Sequence, residues 1–140
     1  RILIDNASGV SPQGLAFCLA VADVIVVTTP EMPAFSDAYG LVKLLQQRGL
    51  KHPVHVVVSH AGSLEESEEA TDRLRLVARR FLKLELDSWG SIPFDPSVAH
   101  AVRRQEPVVT AFPQSPAALA YRALAEQLWG APQPEPPLGA

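Results

Sequence analysis

Four short apolar runs punctuate the chain, each followed by a stretch with helical spacing. Ile2–Ile4 is the first and ends at Asp5. Val24–Val27 is the second, bounded by Thr28, Thr29 and Pro30. Val54–Val58 is the third and ends at Ser59, and Leu84–Leu86 begins a weaker fourth ahead of Trp89 and Gly90. Runs that are apolar on both faces suit buried parallel strands better than half-exposed ones. The segments between them carry helix starts. Ser11-Pro12, Asp95-Pro96 and Ser115-Pro116 each set a capping side chain before a proline suited to the first turn. Ser63 with Glu66 makes a capping box, opening a helix to about Lys83 with Leu74, Val77, Ala78, Phe81 and Leu82 on its apolar face. A further helix is expected over Asp37–Gln47, stopping at Gly49.

Strands alternating with helices predict an α/β fold of three layers, a parallel sheet with helices on both faces. Such sheets bind ligands at the carboxyl ends of their strands, which directs attention to Asp5–Gly9, Thr28–Glu31 and Ser59–Ala61. Residues 1–130 are expected to form this domain. The tail over 131–140, containing Pro132, is too proline-rich for a helix and is expected to be disordered.

Composition narrows the function classes. The chain has 140 residues, is 47% hydrophobic and 19% charged, and carries a net charge of −3, so nothing in it advertises nucleic-acid binding. Its single cysteine, Cys18, excludes an intrachain disulfide and fits a reducing, cytoplasmic setting. Cys18 lies within Leu15–Ala22 and reads as a small hydrophobe. The longest apolar stretch, Gly14–Val27, is broken by Asp23 and falls short of the about 20 residues of a membrane span. Arg73, Arg75, Arg79, Arg80 and Lys83 form a basic group, read as a solvated face balanced by Glu65, Glu66, Glu68 and Glu69. Arg1 opens directly into a strand-like run, which suggests a piece of a longer protein.

Three segments carry candidate chemistry. In Ile2-Leu3-Ile4-Asp5, followed by Asn6-Ala7-Ser8-Gly9, an acid ends an apolar strand and needs a partner. Hydrated Mg²⁺ on nucleotide phosphates is one such partner, and a turn or cap is another. In Val26-Val27-Thr28-Thr29-Pro30-Glu31 the threonines can meet a ligand or merely shape a turn. Gly90-Ser91-Ile92-Pro93-Phe94-Asp95-Pro96-Ser97-Val98 is either a capped strand-to-helix loop or the lining of a pocket. His60 reads as a surface residue, since its spacing to His52, His55 and His100 is not that of metal ligands.

In this order and at these separations, the three segments resemble the MinD/ParA family of deviant-Walker ATPases, and within it the flagellar-number branch, FlhG/FleN. ILIDNASGVS is similar to the family's Walker B strand and glycine loop, VIVVTTPEMPAFSDAYGLVKLL to its next strand and helix, and GSIPFDPSVAHAVRRQEPVV to its G-x-I-P-x-D-x-x-V segment. The resemblance implies a P-loop NTPase-like fold, here incomplete. It implies ATP and Mg²⁺ as cofactors, with Asp5 as the catalytic residue that orients the metal through water. It places Gly9 against the γ-phosphate and Ser59, Pro93 and Asp95 near the base. It also implies a nucleotide-dependent homodimer and a signal-recognition-type GTPase as partner.

The sequence departs from the family in three ways. No G-x-x-x-x-G-K-[ST] pattern occurs, so the chain alone is expected to be inactive. The family's P-loop strand would separate Ile2–Ile4 from Val24–Val27, so its loss leaves strand edges open or re-paired. Ser59 stands where the family places an asparagine amide, which weakens adenine preference. The last helix has a stripe of Leu119, Leu124 and Leu128 but no basic amphipathic tail, so membrane association is not supported. The leading expectation is the C-terminal portion of an ATP-binding switch governing flagellar number or another positioning process. The alternative is a non-catalytic interaction module derived from the same fold.

Overall fold

The valine runs form the sheet. The structure, a computed structural model, describes residues 2–130. It contains β1 (Val24–Thr28), β2 (Val54–Ala61) and β3 (Asp87–Pro93), all parallel and in the order β1-β2-β3. β1 pairs with β2 without a slip, from Val24 opposite Val54 to Thr28 opposite Val58. β2 is the central strand, and its Val54–Val58 run is buried on both faces. Its one polar member, His55, is explained by its neighbours. The ring stacks on Trp89, and its two nitrogens each lie 3.3 Å from a carboxylate oxygen, of Asp23 and of Asp87. A buried imidazole is tolerable when its polar atoms find such partners.

Helices cover both faces, as expected. α1 (Pro12–Ala20), α2 (Met32–Gln47) and α3 (Leu64–Val77) pack Leu15, Val42, Leu45 and Leu74 against Val24, Val26, Val54, Val56 and Val58. On the other face Val57 and Ile92 meet Ala117 and Leu124 of α6 (Pro116–Trp129). α4 (Pro96–Arg104) and α5 (Val108–Ala111) complete that layer around Ala101, Val108 and Ala118. The caps act as the sequence indicates. Ser11, Ser63 and Ser115 each accept a hydrogen bond from a backbone N–H of the helix they open. Cys18 packs against the larger core as a small hydrophobe, and burial raises its thiol pKa.

Several expectations are corrected. Ile2–Ile4 forms no strand: Ile2 is 90% exposed, and Leu3, Ile4 and Asp5 are exposed too. A strand needs a hydrogen-bonded neighbour, and among the described residues none lies along the outer edge of β1. On the face beneath that edge Val27 is 62% exposed, so part of the sheet is bare. The last strand begins at Asp87, because Leu84 and Leu86 are spent packing under α3 before pairing starts. α2 begins at Met32 rather than Asp37, with Pro33 in its first turn. α3 runs into a π-helical turn, Ala78–Leu82, ended by Lys83 in the left-handed region. The wider turn swings Phe81 off the apolar face into solvent, beneath the Arg80 guanidinium. Leu119 also faces outward, and Ala117, Ala120 and Leu124 meet the sheet instead. The tail expected to be disordered lies outside the described residues. No helix among those described is long and apolar enough to cross a membrane.

Candidate functional site

The carboxyl ends of β2 and β3 are joined by an irregular step. Ser59 lies opposite Ile92 and Ala61 opposite Pro93, so His60 is an extra residue bulged out of β2. Its φ is 59°, a left-handed conformation that costs a side-chain-bearing residue. The Ser59 Oγ lies 3.2 Å from His60 Nδ1. One residue past β3 the ladder continues, since the Phe94 N–H donates to the Ala61 carbonyl at 2.9 Å. This brings Phe94, 64% exposed, to 6.3 Å from the His60 ring, centroid to centroid, at a tilt of 47°. At the end of β1, the Thr28 hydroxyl lies 3.4 Å from the Thr29 carbonyl. Glu31 opens α2, and its carboxyl is held below its ordinary pKa by hydrogen bonds from Thr29 and its own backbone, with His60 adding to the effect.

Asp95 is the best-anchored polar group of the site. One carboxylate oxygen accepts from the Ser97 N–H at 2.8 Å, capping α4, and the other from the Ala117 N–H at 3.0 Å, in the first turn of α6. Two helix amino termini therefore converge on one negative charge. The Ala117 amide, followed by that of Ser97, lowers the Asp95 pKa from 3.8 to about 2. A depressed pKa makes this stabilisation fully present above about pH 4 and lost as the pH falls toward about 2. Asp95→Asn should lower the melting temperature at neutral pH and flatten its decline between those values. Parallel melting curves for both proteins check this, and identical pH profiles would remove the role.

The structure brings Ser59, Pro93 and Asp95 together at adjoining strand ends. Asp5 and Gly9 sit on the exposed segment before α1, and no hydrogen bond or salt bridge joins them to that group. Gly9 has φ 99° with open space where a Cβ would stand, so a ligand can approach its backbone. His60, read from the sequence as a surface residue, is exposed, and Phe94 of the Gly90–Val98 segment lies beside it. Their approach depends on a bulge, which cannot be read from residue order. Two shallow cavities, of about 190 and 380 Å³, flank β3 on its α6 and α3 sides and include none of these residues. His60 and Phe94 stand exposed beside them. Among the described residues no cluster of three His, Cys, Asp or Glu groups could hold a metal ion alone.

No family model matches the chain. The antiactivator FleN of Pseudomonas aeruginosa is 35% identical over 138 residues, which cover 99% of this chain and 49% of FleN. The septum site-determining protein MinD of Bacillus subtilis is 31% identical over 131 residues, 92% of this chain and 47% of that protein. This chain belongs to the MinD/ParA family. The solved structure of the septum site-determining protein MinD from Pyrococcus horikoshii, complexed with Mg-ADP, aligns with a TM-score of 0.63 over 86% of this chain and 46% of that one. At 23% identity that likeness bears on the fold alone. The chain spans about half the length of the curated relatives it matches. Its residues fit the two ends of a nucleotide unequally. The β2 and β3 ends offer exposed rings and a hydroxyl suited to a base. For the phosphates there are the open backbone at Gly9 and the exposed carboxylate of Asp5, without a lysine-bearing glycine loop.

Proposed function

We propose that this chain is the C-terminal part of a MinD/ParA-type ATP-binding switch of the FlhG/FleN kind, acting in the cytoplasm on flagellar number or placement. The observation that carries the reading is the match to FleN across 99% of the chain. In this scheme Asp5 supplies the negative charge that orients hydrated Mg²⁺ through water, and Gly9 lets the backbone approach the γ-phosphate. Ser59, Pro93 and the loop fixed by Asp95 lie near the base. The phosphates themselves need backbone N–H groups and a lysine, which a P-loop elsewhere in the parent protein would supply. Nucleotide-dependent pairing of two copies and docking of a signal-recognition-type GTPase complete the proposal.

Purified Arg1–Ala140 should release no phosphate above background with ATP and Mg²⁺, while the P-loop-bearing parent turns over. Phosphate release by both proteins checks this. Turnover by the isolated chain that vanishes in Asp5→Asn would show that no P-loop is needed. A parent that neither binds nor hydrolyses ATP would leave the interaction module as the surviving reading.

A further inference from the structure

We infer that the exposed side of α3 and its π-helical turn, centred on Arg73, Arg80 and Phe81, is a docking surface for an acidic amphipathic helix of a partner protein. It does not depend on the nucleotide reading, since none of these residues belongs to the strand ends that carry it.

The arginines of this segment fall into two kinds. Arg79 is neutralised by Glu85, with Nε and Nη2 each donating at 2.8 Å, and Arg75 lies 3.8 Å from Asp72. Arg73 and Arg80 have no carboxylate within salt-bridge distance among the described residues, and none of Glu65, Glu66, Glu68 and Glu69 pairs with an arginine. Each of the two stands instead over an aromatic ring. The Arg73 guanidinium is 6.0 Å from the centre of the Phe35 ring of α2, with its Nη1 3.3 Å from the Met32 sulfur. The Arg80 guanidinium is 5.5 Å from the centre of the Phe81 ring. Such contacts orient a cation without cancelling its charge. A guanidinium held in this way can meet a carboxylate from outside through a fork of two hydrogen bonds.

Apolar surface accompanies the charges. Met32, Leu76 and Phe81 are each more than half exposed. Arg73, Leu76 and Arg80 follow at spacings of three and four, so they share one side of the helix and Leu76 sits between two cations. Phe81 joins them because of the π-helical turn, a distortion that recurs at functional positions. Aromatic rings and arginines are the side chains that protein interfaces concentrate at their centres.

Charge decides the occupant. Arg73 and Arg80 are separated by two helical turns, about 10 Å along the axis. A partner helix with carboxylates two turns apart and large apolar side chains between them would meet both guanidinium groups and cover Leu76 and Phe81. A long polyanion or an anionic lipid surface suits the site less. Glu65, Glu66, Glu68 and Glu69 occupy the first half of the same helix, in a chain of net charge −3, and would repel it.

The test uses the full-length parent and a displayed library of helical peptides. Recovered peptides should carry carboxylates and large apolar residues at helical spacing. Once synthesised, they should bind Arg73→Ala, Arg80→Ala and Phe81→Ser about tenfold or more weakly than wild type. Arg79→Ala, whose charge Glu85 already meets, should bind within about threefold of wild type. All four side chains are exposed, so melting temperatures should match wild type. An empty selection, peptides without carboxylates, or equal affinity for wild type and the three variants would overturn the inference. Phosphatidylglycerol vesicles and duplex DNA are tested on the same proteins. Binding to either that is lost in Arg73→Ala and Arg80→Ala would assign the surface to lipid or nucleic acid and overturn it too.

Discussion

Asp5→Asn in the P-loop-bearing parent should lower Mg²⁺-dependent kcat by on the order of tenfold to a thousandfold, with little change in melting temperature. The two halves of this expectation come from different observations. Asp5 is exposed, and among the described residues no hydrogen bond or salt bridge ties it to the fold, so removing its charge should cost the fold little. Its value would lie in catalysis, where a carboxylate orienting hydrated Mg²⁺ supports the charge that develops on the transferring phosphoryl group. Asparagine keeps the shape and the capping ability while losing the charge. A residue that only shapes the turn toward α1 would tolerate the change with kcat intact. Steady-state kinetics and thermal melting on the same pair of proteins separate these cases. An unchanged kcat removes Asp5 from the catalytic list.

The same segment shows what a sequence can and cannot disclose. Local signals were legible because their physics is local. Ser11, Ser63, Asp95 and Ser115 each cap the helix they precede, since a side-chain oxygen needs only the next turn of backbone to bond. The parallel pairing of the valine runs was legible because continuous apolar character demands cover on both faces. Ile2–Ile4 has the same character and forms no strand, because pairing depends on a neighbour that a run of residues cannot supply for itself. The π-helical turn at Ala78–Leu82 is hidden for a related reason. One extra residue in a turn leaves composition and spacing intact while rotating Phe81 outward. At the site, Asp95 was legible as a cap for α4, but its second bond joins it to Ala117, 22 residues away. His60 lies at the surface, as its sequence context indicates, but its bulge is a matter of backbone angle that residue order does not show.

Leu74→Ala should cost about 2–5 kcal/mol of stability, whereas Leu76→Ala, two positions along the same helix, should stay within about 0.5 kcal/mol of wild type. Leu74 is 0% exposed, on the face of α3 that packs against Val54, Val56 and Val58 of the sheet and Leu45 of α2. Truncating it loses both the transfer of apolar atoms from water and the contacts across the cavity left behind. Leu76 is 64% exposed and gives up little. The loss at Leu74 should be felt strongly. Stability of a typical domain is about 5–15 kcal/mol, and here a three-stranded sheet with Val27 bare on one face has little core to spare. Urea denaturation followed by helical circular dichroism gives both midpoints, and an unchanged slope would confirm that the native surface is the same. Equal midpoints for the two variants would mean that α3 does not dock by the Leu74 face. The three-layer packing, and with it the placement of the β2 end that carries Ser59 and His60, would then need to be redrawn.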